Sequence, residues 1–286
     1  MVETLSHKPL VTVGVPVRNG ATQLSMALES LINQTYKHIE IVISDNCSND
    51  ETRLICESYV ESYGNIKYFR HSEVISALEN FKWVFSVARG EYFMWAAHDD
   101  LRSENYVEVL LDGLLRNGAN VLSYTNVNYF NESGEQEKSI RKYDFSTIDS
   151  RVIGVALGSC VPIYGIIRRR ALENYRWYNP LHGPDRAMLT YLICLGEFSF
   201  VDGALLKYYS ADKQKTIKQR ARENSMKSLV WFPHVQEAWC CCAAASDAIN
   251  DDLLFSRIRL FLIIYAARFK KNRFSFFRKK LKQILK

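Results

Sequence analysis

The first 130 residues alternate between short apolar runs and segments with apolar residues at helical spacing. The apolar runs lie at 10–16, 39–44, 66–70, 92–97 and 121–127, and each has the length of a buried strand. Between them, patterns such as Leu24, Leu28 and Leu31 predict helices, one of them opened by a capping box of Ser48 and Glu51. Strands that alternate with helices predict an α/β fold, with a mostly parallel, doubly wound sheet and helices on both faces.

The pattern beyond residue 130 is less regular. A hairpin turn is expected at 131–134, strands at 163–167 and 198–201, and a helix at 183–195. Beyond Ala221 the periodicity is helical to the end of the sequence. We therefore expect one α/β domain over residues 1–215 and a helical C-terminal region over residues 216–286.

The formal net charge of +6 hides an uneven distribution. Residues 257–286 hold eleven Lys and Arg and no Asp or Glu, so the preceding chain is acidic, with a net charge of −5. Apolar residues of this basic tail fall at helical spacing, namely Phe274, Phe277, Leu281, Ile284 and Leu285. The pattern fits an amphipathic helix in the interface of an anionic membrane, or a helix packed on the domain with a solvated basic face. Nucleic acid is not expected as a partner, because no nucleic-acid-binding motif accompanies the charge.

The seven cysteines include no Cys-x-x-Cys pair, and consecutive Cys240, Cys241 and Cys242 would point in three directions on a helix. Free thiols are therefore expected, which favours a reducing, cytoplasmic location. Residues 1–10 lack the apolar core of a secretory signal. The apolar stretch 260–267 is far shorter than the about 20 residues of a membrane span.

Polar segments follow three of the predicted strands: 16–19, 45–50 and 98–100. Because ligands bind at the carboxyl ends of parallel strands, these segments predict one site. Asp99 and Asp100 suit a divalent cation with oxygen ligands, although Asp also commonly caps a following helix. Asp45 ends a buried strand, where its carboxylate can accept a hydrogen bond from a base or ribose, while turn formation is the alternative.

Several enzyme classes lack their motifs in this chain. No Gly-x-Gly-x-x-Gly follows the first strand, which argues against a dinucleotide oxidoreductase. No Gly-x-x-x-x-Gly-Lys phosphate loop and no Gly-x-Ser-x-Gly hydrolase elbow is present.

The order of the remaining segments resembles the family 2 glycosyltransferases, which have a GT-A fold. Val13-Gly-Val-Pro-Val-Arg-Asn19, Gln34-Thr-Tyr36 and residues 40–52 resemble the opening of that family. Ala88-Arg-Gly-Glu-Tyr92, followed by Ala97-His-Asp-Asp100, is similar to the approach to its Asp-x-Asp motif. The later landmarks are matched by residues 163–168, Gly183-Pro-Asp185 and Leu195-Gly-Glu-Phe198, so the resemblance covers about residues 10–209.

This resemblance implies a metal-dependent, inverting transfer from a nucleotide-diphosphate sugar. The residues that would bind the nucleotide sugar are Pro16, Val17, Asn19, Asp45, Asn46, His98 and Asp100, with Asp45 facing the base. Asp99 matches the second Asp of Asp-x-Asp and would hold Mg²⁺ or Mn²⁺. Asp185 matches the catalytic base, and the alternative for it is a carboxylate favoured by a helix dipole. Residues from about 8 to 130 would form a nucleotide-binding half, and residues 131–215 an acceptor half.

Two departures from the family pattern concern the metal site. Ala97 replaces the first Asp of Asp-x-Asp, and no His follows Tyr209, where Asp212 is a substitute candidate. A catalytically degenerate sugar-nucleotide-binding protein therefore stays an alternative. So does a sugar nucleotidyltransferase, although its Gly-rich basic loop is missing. The expected acceptor is a glycan or lipid-linked sugar of surface polysaccharide or lipopolysaccharide synthesis, and a lipid-linked acceptor would place the tail on the inner face of the membrane.

Overall fold

The computed structural model describes residues 8–131, 134–138, 151–152, 154–155, 158–180, 183–209 and 233–249. The chain divides into two compact units that interleave along the sequence. The sheet unit takes Met1–Ile140, Val161–Glu173 and Ser199–Gln214. The helical unit takes Arg141–Cys160, Asn174–Phe198 and Lys215–Lys286.

A nine-stranded mixed sheet forms the centre of the sheet unit, with strands in the order β3-β2-β1-β4-β8-β6-β9-β5 and β7 paired to β6. Its elements are β1 (Val11–Val17), α1 (Leu24–Ile32), β2 (Ile39–Asp45), α2 (Thr52–Ser62), β3 (Ile66–Arg70), α3 (Ala77–Ser86), β4 (Tyr92–Trp95), β5 (Leu101–Arg102), α4 (Tyr106–Leu115), β6 (Asn120–Asn131), β7 (Gly134–Lys138), β8 (Ile166–Arg168) and β9 (Glu197–Tyr209). The α/β fold class predicted from the alternating pattern is confirmed.

Strands β3, β2, β1 and β4 are parallel neighbours, and every residue of β1 and β2 is buried. Their near-continuous apolar sequences follow from this burial, since a parallel strand is covered by helices on both faces. Pairing of β1 with β4 ends at Gly14 and Trp95, and the Ala96 amide then donates to the Gly14 carbonyl. Pro16, which has no amide to donate, falls just past this point, where the two strands separate.

The strands after residue 120 add antiparallel pairings that the sequence pattern did not predict. Strand β8 pairs antiparallel with both β4 and β6, and β5 pairs antiparallel with β9. The strand expected at 163–167 is instead a 3-10 helix at Val161–Tyr164 followed by the short β8. The strand expected at 198–201 is part of the longer β9. The hairpin expected at 131–134 is present, with Asn131 paired to Gly134.

In the helical unit the described helices are α5 (Pro184–Leu195) and α6 (Pro233–Ile249). A buried ion pair joins them, since Arg186 Nε donates to Glu237 Oε1 at 2.8 Å. The helix predicted at 183–195, assigned from the sequence to the acceptor half, therefore packs with a helix of the predicted C-terminal region. Across the part of the chain that the structure describes, none of the helices combines the length and apolar character of a membrane span. The basic tail lies outside the described residues.

Candidate functional site

The carboxyl ends of β1, β2 and β4 meet at one edge of the sheet, as the strand order requires. The turn after β1 touches the turn after β4: a Cβ built on Gly20 would lie 2.6 Å from Cδ2 of His98 and 2.7 Å from Cγ2 of Val17. Only glycine permits this approach. The structure thus brings together the three polar segments that the sequence predicted to share a site.

Asp45, the last residue of β2, has a side chain that is fully buried. Its Oδ1 accepts from the Ser48 amide at 2.8 Å, and its Oδ2 accepts from the Tyr68 hydroxyl at 2.8 Å. Nε of Arg70 lies 3.4 Å from Oδ2. Burial and the bond to Asp45 raise the pKa of Tyr68 well above its ordinary value. Both oxygens already have internal partners, so the carboxylate organises the site edge; contact with a base stays a prediction.

Two asparagines fix the loops beside Asp45. Asn46 is buried, and its side-chain amide makes two hydrogen bonds with the main chain of Ile75. Its Nδ2 donates to the Ile75 carbonyl and its Oδ1 accepts from the Ile75 amide, each at 2.8 Å. Asn19 has a positive φ of 53°, a conformation that asparagine tolerates, and its Oδ1 accepts from the Asn49 amide at 3.0 Å. Both residues lie at the predicted edge, where they join the loops after β1, β2 and β3.

The predicted capping box of α2 is wrong. The N-cap position is Glu51, without a side-chain hydrogen bond to the helix. The Ser48 hydroxyl instead accepts from the Asn19 amide at 2.9 Å, while Asp50 Oδ1 accepts from the Thr52 amide at 3.0 Å. The Ser48 hydroxyl therefore bonds to the loop after β1 and not to its own helix. A local sequence motif does not reveal such a tertiary contact.

The turn after β4 carries Asp99 and Asp100 in different environments. Asp99 is half-exposed, and within the described residues its carboxylate has no hydrogen bond or ion pair. Asp100 is 1% exposed, its Oδ1 accepts from the Tyr209 amide at 2.9 Å, and its Oδ2 has no hydrogen-bond partner among the described residues. Burial raises the pKa of Asp100 to about 7, opposed by Arg102 and assisted by Asp99.

Asp99 fits a divalent cation in the manner of Mg²⁺, which proteins often bind through one or two carboxylates while a substrate's phosphates and water complete the shell. Among the described residues no group of three or more His, Cys, Asp or Glu forms a ready-made cage. Ala97 offers no side-chain ligand, and Asp212 lies outside the described residues. The donor set therefore suits a cation that arrives with a phosphate-bearing ligand.

Asp185 lies in the first turn of α5, in the helical unit. The helix begins after Gly183, whose φ of 77° is left-handed, and Pro184 follows at the first helical position. A half-buried carboxylate here is favoured by the helix dipole, whether or not it also takes a proton in a reaction. Its role as a base stays a prediction.

The end of β3 carries polar residues of this edge that the sequence patterns did not predict. Asp45 and Arg70 are register partners across β2 and β3, and Arg70 also donates to the Ser48 carbonyl at 2.9 Å. The His71 amide donates to the Asp45 carbonyl at 2.9 Å, and the His71 ring lies 3.0 Å from Ser44 Oγ. Since β3 is parallel to β2, its carboxyl end lies at the same edge, and this signal was available in the sequence.

The fold defines an α/β protein whose candidate ligand site lies at the carboxyl ends of parallel strands. The model of glycosyl transferase family 2 matches residues 12–176, more than half of the chain. The chain belongs to this family, and the resemblance seen in its motif order is confirmed.

Individual relatives are also named as glycosyltransferases. Glycosyltransferase GlyG of Streptococcus pneumoniae is 28% identical over 211 residues, 70% of this chain and 70% of that protein. An uncharacterized glycosyltransferase of Rickettsia typhi is 37% identical over 103 residues, 36% of this chain and 31% of the relative. The matched region spans less than a third of the length of the Rickettsia relatives.

Solved structures share the fold at low identity. Residues 1–349 of S. aureus TarS in complex with UDP superpose with a TM-score of 0.64 at 18% identity, covering 93% of this chain and 72% of that one. The mannosyltransferase PcManGT from Pyrobaculum calidifontis, in complex with GDP-Man and Mn²⁺, gives 0.55 at 13% identity, covering 94% and 89%. These likenesses establish the GT-A-type fold that the resemblance implied.

Proposed function

We propose that this chain transfers a sugar from a nucleotide-diphosphate sugar to an acceptor hydroxyl. The observation that carries the proposal is the half-exposed Asp99 carboxylate, which lacks an internal partner among the described residues at the carboxyl edge of the parallel strands. The neighbouring polar residues, by contrast, are bonded into the surrounding loops, as Asp45 and Asn46 are. The proposal is also supported by family membership and by the UDP and GDP-Man of the structural neighbours.

The donor's nucleotide would lie against the turns after β1 and β2, which Asp45, Asn46 and Asn19 hold in shape. Asp99 would bind Mg²⁺ or Mn²⁺ together with the donor diphosphate. A cation bound there would neutralise the charge that develops on the departing nucleoside diphosphate. His98 would line the same turn, because its ring packs against Gly20.

Asp185 is the proposed general base. It would take the proton of the acceptor hydroxyl as that oxygen attacks the anomeric carbon. One displacement on one face inverts the anomeric configuration and needs no carboxylate nucleophile. The proposed acceptor is a glycan or lipid-linked sugar of surface polysaccharide or lipopolysaccharide synthesis, and the proposed location is the cytoplasm, with the tail on the inner face of the membrane.

Isothermal calorimetry of UDP and GDP, each with Mn²⁺ or with EDTA, tests the donor site of the full chain. Asp99→Ala should abolish metal-dependent binding without loss of folding, because a half-exposed turn carboxylate is not part of the core. Asp112→Ala is the matched control, since it removes an exposed carboxylate from α4. Unchanged metal-dependent binding in Asp99→Ala would contradict the assignment.

Hydrolysis of a panel of nucleotide sugars, with and without Mn²⁺, then tests the activity. Metal-dependent release of the nucleoside diphosphate is the expected result. Binding without turnover would favour a degenerate sugar-nucleotide-binding protein. Formation of a nucleoside triphosphate from nucleotide sugar and pyrophosphate would favour a sugar nucleotidyltransferase.

A further inference from the structure

Strand β5 has only two residues. On each side of it, a side-chain oxygen, rather than a main-chain carbonyl, accepts a hydrogen bond from β9. Leu101 pairs with Lys207 and Arg102 with Leu206 in an antiparallel ladder with β9. At one end the Leu205 amide donates to Ser103 Oγ at 3.0 Å. At the other end the Tyr209 amide donates to Asp100 Oδ1 at 2.9 Å.

Main-chain geometry shows which acceptor Asp100 replaces. In an antiparallel ladder, hydrogen-bonded positions recur at every second residue. The Ser103 amide donates to the Leu205 carbonyl at 3.0 Å, so the same register continued along β9 would bring the Asp99 carbonyl to the Tyr209 amide. The Asp100 carboxylate stands in for that carbonyl.

Because the Asp100 side chain, rather than the Asp99 carbonyl, accepts from the Tyr209 amide, the main chain can turn where a regular strand would continue. The Asp100 amide points back to the Ala97 carbonyl at 3.4 Å, which closes the turn that carries Asp99. If Asp99 were paired with Tyr209, its main chain would be part of the strand and this turn would open. With the turn closed, the Tyr209 amide still has a hydrogen-bond acceptor, the Asp100 carboxylate.

The buried guanidinium of Arg102 fixes the main chain beside the same turn. Arg102 is 5% exposed, its Nη2 donates to the Trp95 carbonyl at 3.2 Å, and its guanidinium lies 5.6 Å from the centroid of the Tyr106 ring. Arg102 thus ties β5 to the end of β4, the strand that precedes the turn. The Asp100 carboxylate lies in its electrostatic field.

We propose that Asp100 is a positioning residue that closes the β5–β9 ladder with its side chain and so holds the Asp99 turn in its ligand-binding shape. This inference rests on the proposed metal role of Asp99. It also changes the part assigned to Asp100 by family resemblance: Asp100 acts through Asp99 and Tyr209 and does not contact the nucleotide sugar.

The test compares variants of the full chain by calorimetry of UDP with Mn²⁺ and with EDTA. Asp100→Ala should weaken Mn²⁺-dependent UDP binding by about 10–100-fold, the usual effect of removing a group that orients a metal ligand. Binding in EDTA should change by less than about threefold. Asp100→Asn keeps an acceptor oxygen for Tyr209 and should recover most of the lost affinity, although Arg102 loses a nearby charge.

Ser103→Ala is the matched control, because it removes the side-chain acceptor at the other end of the same ladder. It should leave Mn²⁺-dependent affinity within about threefold of wild type. Amide hydrogen exchange supplies a readout independent of ligand: the Tyr209 amide should exchange faster in Asp100→Ala but not in Asp100→Asn, measured where each variant is folded.

The outcomes separate this inference from the proposed function. If Asp99→Ala retains metal-dependent binding, the metal assignment itself fails. If Asp99→Ala loses that binding while Asp100→Ala behaves like Ser103→Ala, the positioning role is overturned. The positioning role is also overturned if Asp100→Asn is as defective as Asp100→Ala, because the bond to Tyr209 would then not be what matters.

Discussion

Replacing Asp45 by Asn separates two roles that this residue could have. The variant keeps the size and one acceptor oxygen of the side chain but removes the charge and turns the other oxygen into a donor. In the structure the two oxygens accept from the Ser48 amide and the Tyr68 hydroxyl. Asn must therefore present an NH₂ group to one of these donors, inside a site with no exposure to water.

The expected cost follows from these contacts. Hydrogen bonds to a charged group contribute about 1.5–3 kcal/mol each, and a buried donor left without an acceptor costs about 1–3 kcal/mol. In Asn, one bond becomes neutral and the other is lost. Arg70 adds little, because its side chain is 35% exposed and its Nε is 3.4 Å away. We expect the free energy of unfolding to fall by about 2–4 kcal/mol.

Urea unfolding followed by tryptophan fluorescence measures this loss in the full chain. Tyr68→Phe is the matched comparison, since it removes one hydrogen bond and leaves the carboxylate in place. It should cost about 1.5–3 kcal/mol, because the lost bond is to a charged group. The double variant should cost less than the two single changes together, because both remove the same contact.

UDP titration decides what a stable Asp45→Asn protein would mean. If the variant unfolds within about 0.5 kcal/mol of wild type, the buried hydrogen bonds are not what Asp45 contributes. If it also loses UDP binding, the carboxylate faces the base, as the family resemblance implied. A large loss of stability with UDP binding retained would instead limit Asp45 to building the edge.

Three further changes test other parts of the chain. Asp185→Asn should leave donor affinity near wild type and lower steady-state turnover by about 10²–10⁴-fold; a change of only a few-fold would make it a helix-terminal carboxylate. Glu237→Ala should lower the free energy of unfolding by about 3–5 kcal/mol in urea titration, because Arg186 loses its carboxylate partner while 12% exposed. The full chain should co-sediment with anionic vesicles and dissociate in high salt, whereas a chain ending at Ala267 should stay in the supernatant; equal sedimentation of both would favour a packed tail helix.

The parallel half of the sheet could be predicted because its strands are buried on both faces. A strand such as β1 has no polar face, so its apolar run stands out against the helical periodicity around it. The antiparallel half offered no such contrast. Strand β8 has three residues, and β9 contains Gly203, whose φ of 93° departs from regular strand geometry. Short or irregular strands are defined by their neighbours, which local periodicity does not encode.

The edge of the site could be predicted for the same reason, but the partners of its residues could not. Asp45 follows a buried run, so its location was evident from the sequence. Its bonds to Ser48 and Tyr68 depend on a loop conformation and on the register of β2 with β3. The capping box predicted at Ser48 was wrong for the same reason. The Ser48 hydroxyl accepts from the Asn19 amide, which is distant in sequence.

Most polar residues of the predicted site form hydrogen bonds with main-chain groups of the protein. Asp45 binds the Ser48 amide, Asn46 binds Ile75, and Asp100 binds Tyr209. These bonds are made before any ligand arrives, so the loops need not be ordered at the expense of binding free energy. Asp99 differs, since within the described residues its carboxylate has no such bond. A strand-end carboxylate is therefore better assigned to ligand contact by its lack of internal hydrogen bonds than by the motif alone. Of Asp45, Asp99 and Asp100, only Asp99 makes no hydrogen bond within the described residues.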